Sequence, residues 1–415
     1  MTANRWRRPA FDDRELRLWK VGRALTVTFI TAVMVASGVF YGLVHLLDFQ
    51  EIDSTAKLDA KTLFELVKLS FGVVAGAGAL VALVVAYRRQ RVDEAGAHRE
   101  ATRLHTERFS QAIDKLGSDS PAVRLGGVHA LAGLAEDAPD LYLSQTCLDV
   151  LCAYLQLPFA PDPGDAAEEG HHRYLALRKI RHTILQLISD RYYNYSRNHL
   201  PWHLHSIDLT GVVIDCNMDF TGVVFPNVTP MSFNGAKFSG GTVSFSGATF
   251  SSSSNVSFIG AEFSGGEVSF AGAHFIGFDG EGLPAGAVSF NGAKFSGGTV
   301  SFVGATFSGG TVSFVGAEFS GGTVLFNGAK FVEGPEDLPT GAVSFDGAKF
   351  SGSTVDFFRA KFDGGEVSFI GAEFSSGTTR FDGATGSVPN GLIAAVGTPP
   401  PESVRLPIAW LAANP

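Results

Sequence analysis

The sequence predicts an α + all-β chain, with helices in the N-terminal half and short β-strands in the C-terminal half. Two long runs near the N-terminus carry no charge, apolar residues then recur at helical spacing, and a twelve-residue phrase repeats through the second half. A large apolar residue and glycine at fixed places indicate a repeat array. We predict five segments: a basic cytoplasmic leader (1–23), two transmembrane helices with a short external loop (24–88), a cytoplasmic helical region (89–200), the array (201–387) and a C-terminal cap or tail (388–415).

The two uncharged runs, residues 24–44 and 69–87, predict membrane-spanning helices. Each has close to the roughly 20 residues that a helix needs to cross about 30 Å of hydrocarbon. Lysine and arginine flank the outer ends, whereas the connector at 48–68 mixes lysine with more acidic residues. By the positive-inside rule, both ends of the protein are then cytoplasmic and the connector is external. We expect a multi-pass protein of the cell membrane.

Gly72 and Gly76 have the GxxxG spacing that lets two helix backbones approach closely. Two interpretations stay open, contact within the helical hairpin or a homodimer, because the motif also arises by chance in glycine-rich runs. Neither changes the predicted number of spans.

Four helices are predicted between the membrane and the array. The first covers residues 89–116, Ser120 and Pro121 are suited to the N-cap and first position of the second, and 141–157 and 172–192 form the third and fourth. Short amphipathic helices in this order resemble a single HEAT-like unit. One such unit cannot bury its own apolar face, so we expect it to pack on the first turn of the array.

The array is clearest at residues 301–323, SFVGATFSGGTVSFVGAEFSGGT, where phenylalanine advances in alternating steps of five and seven. A small apolar residue stands two positions before each phenylalanine, so both side chains share one face of a strand. Glycine between these pairs is typical of turns. The predicted interior contains the following residues: Phe290, Phe295, Phe302, Phe307, Phe314, Phe319, Phe326, Phe331, Ala293, Val300, Ala305 and Val312.

Four longer steps, after Phe225, Phe250, Phe275 and Phe331, indicate the length of one coil. Two, two and four complete phrases separate them, always an even number. Insertions are tolerated at solvent-facing corners, which recur once per coil. The even counts predict about 24 residues per coil and insertions that project from one edge.

Residues 204–384 resemble the pentapeptide-repeat proteins, in the units VVIDC, MDFTG, AKFSG, ATFSG, AEFSG and AKFDG. With its two N-terminal spans, the chain is similar to a bacterial, membrane-anchored type. The resemblance implies a right-handed quadrilateral β-helix with phenylalanine and alanine stacked inside. The sequence departs from that pattern because alternate units carry two extra residues. We place this pair in SGGT, at a corner where glycine lets the backbone bulge.

The two largest insertions, within 276–289 and 332–344, are acidic and share an LPxGAVS ending. If a protein partner binds the array, we expect it on this edge. The candidate residues are Asp279, Glu281, Glu333, Glu336 and Asp337.

Charge and motif content narrow the function. Residues 1–200 carry 24 Lys and Arg against 23 Asp and Glu, whereas residues 201–415 carry 8 against 18. The acidic array should repel nucleic acid, so we expect no direct nucleic-acid binding.

The sequence contains no motif that is typical of an enzyme, and we expect no cofactor. His171, His172 and the histidines of 199–205 favour a solvated turn over a metal site, and the three cysteines indicate reduced core residues.

The predicted function is that of a membrane-anchored cytoplasmic scaffold, which presents a rigid acidic array to an unidentified protein partner. Two alternatives stay open. Some pentapeptide-repeat proteins mimic duplex DNA and bind or protect DNA gyrase, which the acidity permits. The two spans also allow an accessory subunit of a membrane transport system, although neither carries a charged residue.

Overall fold

A computed structural model gives the fold in two compact units, Met1–Ala101 and Thr102–Pro415. Some segments are not described, and of the candidate edge residues only Glu333 is among those that are. The described residues are 60–164, 168–193, 202–225, 229–251, 256–276, 287–333 and 342–412, with single positions between 26 and 41.

The described positions between 26 and 41 are helical, and α1 (Ala60–Leu116) is a helix of 57 residues. The second predicted span and the polar helix predicted at 89–116 therefore belong to one helix, because no proline interrupts the chain between them. Most of the first predicted span lies outside the described residues. Within the described part of the chain, no helix is both long enough and apolar enough to cross a membrane.

Three further helices precede the array: α2 (Pro121–Glu136), α3 (Leu141–Gln156) and α4 (Glu168–Tyr193). Ser120 stands at the N-cap of α2 with proline after it, but its hydroxyl makes no capping hydrogen bond, contrary to its expected role. The side chain of Asp140 does cap α3, where it accepts from the Leu143 N–H at 2.8 Å. One face of each helix contributes to a shared core that includes Leu131, Leu148 and Ile184.

After a short 3₁₀ turn (Trp202–Leu204), the array forms three parallel sheets. Sheet A contains β1 (Ile207–Asp208), β5 (Met231–Ser232), β8 (Val256–Ser257), β11 (Ala287–Ser289), β14 (Thr311–Ser313), β17 (Ala342–Ser344) and β20 (Glu366–Ser368). Sheet B contains β2 (Val213–Ile214), β3 (Met218–Asp219), β6 (Lys237–Ser244), β9 (Glu262–Ser269), β12 (Lys294–Ser301), β15 (Glu318–Leu325), β18 (Lys349–Asp356), β21 (Glu373–Arg380) and β23 (Val404–Arg405). Sheet C contains β4 (Val224–Phe225), β7 (Thr249–Ser251), β10 (His274–Ile276), β13 (Thr306–Ser308), β16 (Lys330–Val332), β19 (Lys361–Asp363) and β22 (Thr385–Gly386).

Strand register gives the length of one coil. Phe295 pairs with Phe319 in sheet B, and Phe307 pairs with Phe331 in sheet C. Both pairs are 24 residues apart, which is the predicted coil. Where an insertion intervenes the separation grows, as between Val312 and Val343, yet like residues still pair. The insertions therefore lengthen the connection without changing which residues stack.

The Ser-Gly-Gly segments of sheet B differ from the predicted corners. In β12 the chain runs from Lys294 to Ser301 as one strand, and Gly297 and Gly298 form a bulge inside it. The two predicted apolar pairs on either side therefore belong to a single bent strand. Glycine permits this because Gly298 has a φ of +64°, and an added Cβ would lie 2.6 Å from the Gly266 carbonyl oxygen of the preceding coil.

Phenylalanine rings fill the interior. Phe302 stacks on Phe270 and on Phe326, with ring centroids 4.8 Å apart in both cases. It also meets Phe290 and Phe314 edge to face at 5.8 Å, across the interior. Such offset and edge-on contacts add to the stabilisation that burial gives. At most 2% of the surface is exposed in each of Phe290, Phe295, Phe302, Phe307, Phe314, Phe319, Phe326, Phe331, Ala293, Val300, Ala305 and Val312.

Aromatic residues from outside the repeats cover both ends of this interior. At the first coil, the Tyr192 ring of α4 meets Phe220 edge to face at 5.8 Å. At the last coil, Trp410 packs on Phe381 at 5.7 Å and donates its indole N–H to the Gly386 carbonyl at 3.2 Å. The tail also forms two short helices, α5 (Leu392–Val396) and α6 (Ile408–Ala412). These residues shield the apolar interior of the first and last coils from water.

Candidate protein-interaction surface

The four longer connections of the array share one corner of the coil. Each leaves sheet C and enters sheet A, at β4 to β5, β7 to β8, β10 to β11 and β16 to β17. From β13 to β14 and from β19 to β20, a tight turn with two glycines makes the same passage. Ile276 forms a β-bridge with Gly309, and Val332 forms one with Gly364. The coil after each of the two large insertions therefore has the tight two-glycine turn at this corner. We call this edge the insertion corner.

One of the five candidate partner residues, Glu333, is described at the insertion corner. Glu333 is exposed at its margin, directly after β16, and its N–H donates to the Asp363 carbonyl at 3.3 Å. Asp279, Glu281, Glu336 and Asp337 lie outside the described residues. Two further exposed carboxylates, Asp363 and Glu366, flank the tight turn in the following coil. The described margin of the corner is therefore acidic.

Charges alternate on the outer surface of sheet B. Lys237, Glu262, Lys294, Glu318, Lys349 and Glu373 occupy paired positions of successive strands. The Lys237 Nζ lies 3.6 Å from a Glu262 carboxylate oxygen. Like charges on directly opposed strand positions are destabilising, and strict alternation avoids them.

A second alternation runs along the turns before these residues. Asn234, Asn291 and Asp346 precede the lysines, whereas Ile259, Val315 and Ile370 precede the glutamates. Each polar side chain accepts the N–H of the apolar residue one coil later, at 3.0 Å for Ile259, 3.1 Å for Val315 and 2.8 Å for Ile370. These bonds tie successive coils in pairs. The change from NGAKF or DGAKF to IGAEF or VGAEF is visible in the sequence, although the hydrogen bonds are not.

The junction between the helices and the array depends on a polar cluster that the sequence analysis missed. The Arg178 Nε donates to one oxygen of Asp215 at 2.6 Å, and the His182 Nε2 lies 2.6 Å from the other. Burial would raise the pKa of Asp215, but these two hydrogen bonds outweigh it and hold the pKa below its ordinary value. Because α4 supplies both partners and the first coil supplies Asp215, the cluster fixes one to the other.

Replacing Asp215 with asparagine is expected to lower the melting temperature at pH 7, because hydrogen bonds to a charged group contribute about 1.5–3 kcal/mol. The folded pKa is depressed, so this stability is present above the unfolded pKa of about 3.9 and is lost as the pH falls through the folded pKa. The difference in melting temperature between wild type and Asp215→Asn should shrink below about pH 4. A constant difference from pH 7 to pH 3 would contradict this role.

The described part of the histidine segment, residues 202–205, is more buried than predicted. Trp202 and His205 are 1% and 2% exposed, although Leu204 between them is 41% exposed. Packing between α4 and the first coil explains the burial, and the Arg191 guanidinium lies 5.7 Å from the Trp202 ring centroid. Across the described residues, no three His, Cys, Asp or Glu side chains converge as metal ligands would.

Cys147, Cys152 and Cys216 are free and buried, as their number and spacing predicted. Burial raises the pKa of each thiol to about 12. All three are therefore neutral core residues at physiological pH, without the thiolate that nucleophilic or metal chemistry requires.

Comparison with known families agrees with this geometry. Residues 285–333 match the family model for pentapeptide repeats (9 copies). This pentapeptide-repeat segment runs from β11 to β16 and contains all eight phenylalanines predicted to line the interior. Parallel sheets of many short strands fit a pentapeptide-repeat β-helix, here joined to an α-helical region. No curated protein matches the chain.

Proposed function

We propose that this chain is a membrane-anchored cytoplasmic scaffold whose β-helix binds a protein partner at the insertion corner. The observation that carries the proposal is the shared corner of the four longer connections. The remaining connections keep a nearly fixed length. In repeat arrays, insertions gathered on one edge commonly form the binding surface, and loops held by a rigid scaffold commonly carry function.

The chemistry of the corner favours a basic partner surface. Glu333, Asp363 and Glu366 are exposed around it, and the two large insertions add the four other candidate carboxylates. Acidic groups on a rigid support attract a positively charged partner and fix its register. The stacked rings beneath keep the support stiff, so little conformational entropy is lost on binding.

The membrane anchor is supported by the amino-acid sequence. Residues 24–44 and 69–87 lack charged side chains, and their outer flanks are basic. Both properties favour a hairpin with the array on the cytoplasmic side. An anchor of this kind would hold the scaffold at the bilayer, where its partner is encountered.

Sheet B makes the scaffold a better hypothesis than a DNA mimic. Duplex DNA carries one negative charge per about 1.7 Å of helix axis, all of one sign. The outer column of sheet B reverses sign at every coil, from Lys237 to Glu373. No continuous negative stripe is present on that surface.

The test shortens the insertion corner with the chain's own tight turns. One variant replaces residues 277–286 and residues 333–341 each by two glycines, the turn that follows β13 and β19. A matched variant keeps the loops but neutralises Asp279, Glu281, Glu333, Glu336 and Asp337. Tagged proteins are used for affinity capture from native membranes, followed by quantitative mass spectrometry.

We expect a membrane-proximal protein in the wild-type capture and a loss of about tenfold or more with both variants, equivalent to about 1.4 kcal/mol. Identical captures from wild type and both variants would contradict binding at the insertion corner.

Alkaline extraction tests the membrane anchor. It should leave the full chain in the membrane and release a chain lacking residues 1–88. Release of the full chain would contradict the anchor, and protection of gyrase in a supercoiling assay would favour the mimic instead.

A further inference from the structure

Sheet C carries a charge pattern that breaks the rule seen in sheet B. Lys330 of β16 and Lys361 of β19 are directly paired on adjacent strands, whose backbones lie about 4.8 Å apart. Both are exposed, and neither forms an ion pair with any described residue. Their other in-register neighbours are Thr306 and Thr385, which offer no compensating charge. A like-charged pair of this kind destabilises a sheet.

A second irregularity lies beside this pair. Arg359 has a φ of +56° and is the one non-glycine residue with positive φ in the described part of the chain. Its turn leads directly into β19. A residue with a Cβ is disfavoured in this conformation. The equivalent positions of the other coils are all glycine: Gly222, Gly247, Gly272, Gly304, Gly328 and Gly383.

The Arg359 side chain is exposed and oriented by an aromatic ring. Its guanidinium carbon lies 4.9 Å from the ring centroid of half-buried Phe358, and it forms no ion pair with a described residue. Arg380 near the same ring is different, because Asp356 and Asp382 hold it at 3.6 and 3.1 Å. Arg359 therefore presents an uncompensated charge in a restrained geometry.

We propose that Lys330, Arg359 and Lys361, which we call the basic patch, bind an acidic helical segment of a protein partner. The lysines lie on strands whose backbones are about 4.8 Å apart, and acidic residues four apart on a helix are about 5–6 Å apart. The planar guanidinium of Arg359 suits bidentate contact with a carboxylate. Residues 201–415 carry 8 basic against 18 acidic side chains, so the array repels a long polyanion such as nucleic acid more strongly than it repels one short acidic segment.

The basic patch is separate from the insertion corner. In β16 and β19 the lysines begin the strands, whereas Val332 and Asp363 end them beside that corner. The two proposals concern opposite edges of sheet C and call for partners of opposite charge. Loss of one would leave the other intact.

The experiment measures binding of a defined probe to the full-length protein in neutral detergent. The probe is a dye-labelled helical peptide with two glutamates four residues apart, and its control has glutamine at both positions. Fluorescence anisotropy is read at 50 and 300 mM salt for wild type, Lys330→Gln, Arg359→Gly and Lys294→Gln. The last variant makes the same charge change as Lys330→Gln on sheet B. Phosphatidylglycerol, an anionic lipid added in mixed micelles with the same detergent, and inorganic phosphate are tested as competitors.

We expect Lys330→Gln and Arg359→Gly to weaken glutamate-peptide binding by about tenfold, the loss of one charge-assisted contact. Neither should lower the melting temperature, since each removes an unfavourable feature, and Lys294→Gln should bind within about twofold of wild type. Equal binding of the glutamine peptide, equal loss with Lys294→Gln, or loss only through unfolding would overturn the proposal. Stronger binding of phosphatidylglycerol or phosphate than of the peptide would also overturn it, in favour of another anion.

Discussion

Replacing Phe302 with alanine is expected to lower the free energy of unfolding of the repeat array by about 3–5 kcal/mol. The ring is fully buried, and it contacts the rings above, below and across the interior. Removing it leaves a cavity that the neighbouring coils cannot close, because their hydrogen-bonded strands fix the spacing at about 4.8 Å.

The adjacent residue provides the control. Val303 is 39% exposed at the turn that follows, so Val303→Ala should change stability by less than about 0.5 kcal/mol. Urea denaturation followed by far-ultraviolet circular dichroism compares the two variants with wild type. Equal destabilisation by both substitutions would mean that the phenylalanine columns are not the principal core of the array.

Replacing Gly322 with alanine is the second substitution with a large expected effect. Gly322 has a φ of +68°, and a Cβ there would lie 2.6 Å from the backbone of Gly297 in the preceding coil. The left-handed conformation costs about 1–2 kcal/mol for a residue with a Cβ. Overpacking against the backbone of the preceding coil adds about 1–3 kcal/mol. We expect a combined loss of about 2–5 kcal/mol.

Gly328 separates the two contributions. Its φ is +63°, almost the same as that of Gly322, but no atom lies within 4 Å of an added Cβ. Gly328→Ala should therefore cost only the conformational part, about 1–2 kcal/mol. Equal loss of stability by both variants in thermal unfolding would contradict the close approach of successive coils at the bulge.

The coil was predictable because its determinants are local and periodic. Steps of five and seven between phenylalanines specify strands, and the positions of the longer steps specify 24 residues per coil. Pairing of Phe295 with Phe319 and of Phe307 with Phe331 gives that separation. Within the coil, the Ser-Gly-Gly segments of sheet B differ from the predicted corners, because composition does not distinguish a turn from a bulge within a bent strand.

The contacts between helices and array were less predictable. Arg178 and Asp215 are 37 residues apart, and neither belongs to a motif that indicates a salt bridge. Burial of His205 likewise depends on how α4 packs on the first coil. A single sequence specifies which side of a helix is apolar, but not which polar side chains meet when that side is covered.

The basic patch could have been found from the sequence. Residues 357–362 read FFRAKF, where the other repeats have glycine in place of Arg359. That departure is visible by comparing copies, and a positive φ explains why glycine is the rule. The paired lysines required the register, since Lys330 and Lys361 are 31 residues apart and the insertion hides their equivalence.

The most direct test of the coil is a disulfide between residues one turn apart. Thr299 and Thr323 are paired in sheet B, about 4.8 Å apart, within the 4.4–6.8 Å that disulfides span between α-carbons. Thr299→Cys with Thr311→Cys is the control, since Thr311 belongs to sheet A, half a coil away. A 24-residue coil predicts rapid oxidation of the Thr323 pair and none of the Thr311 pair. Cross-linking at Thr311, or its failure at Thr323, would contradict the stacked coil.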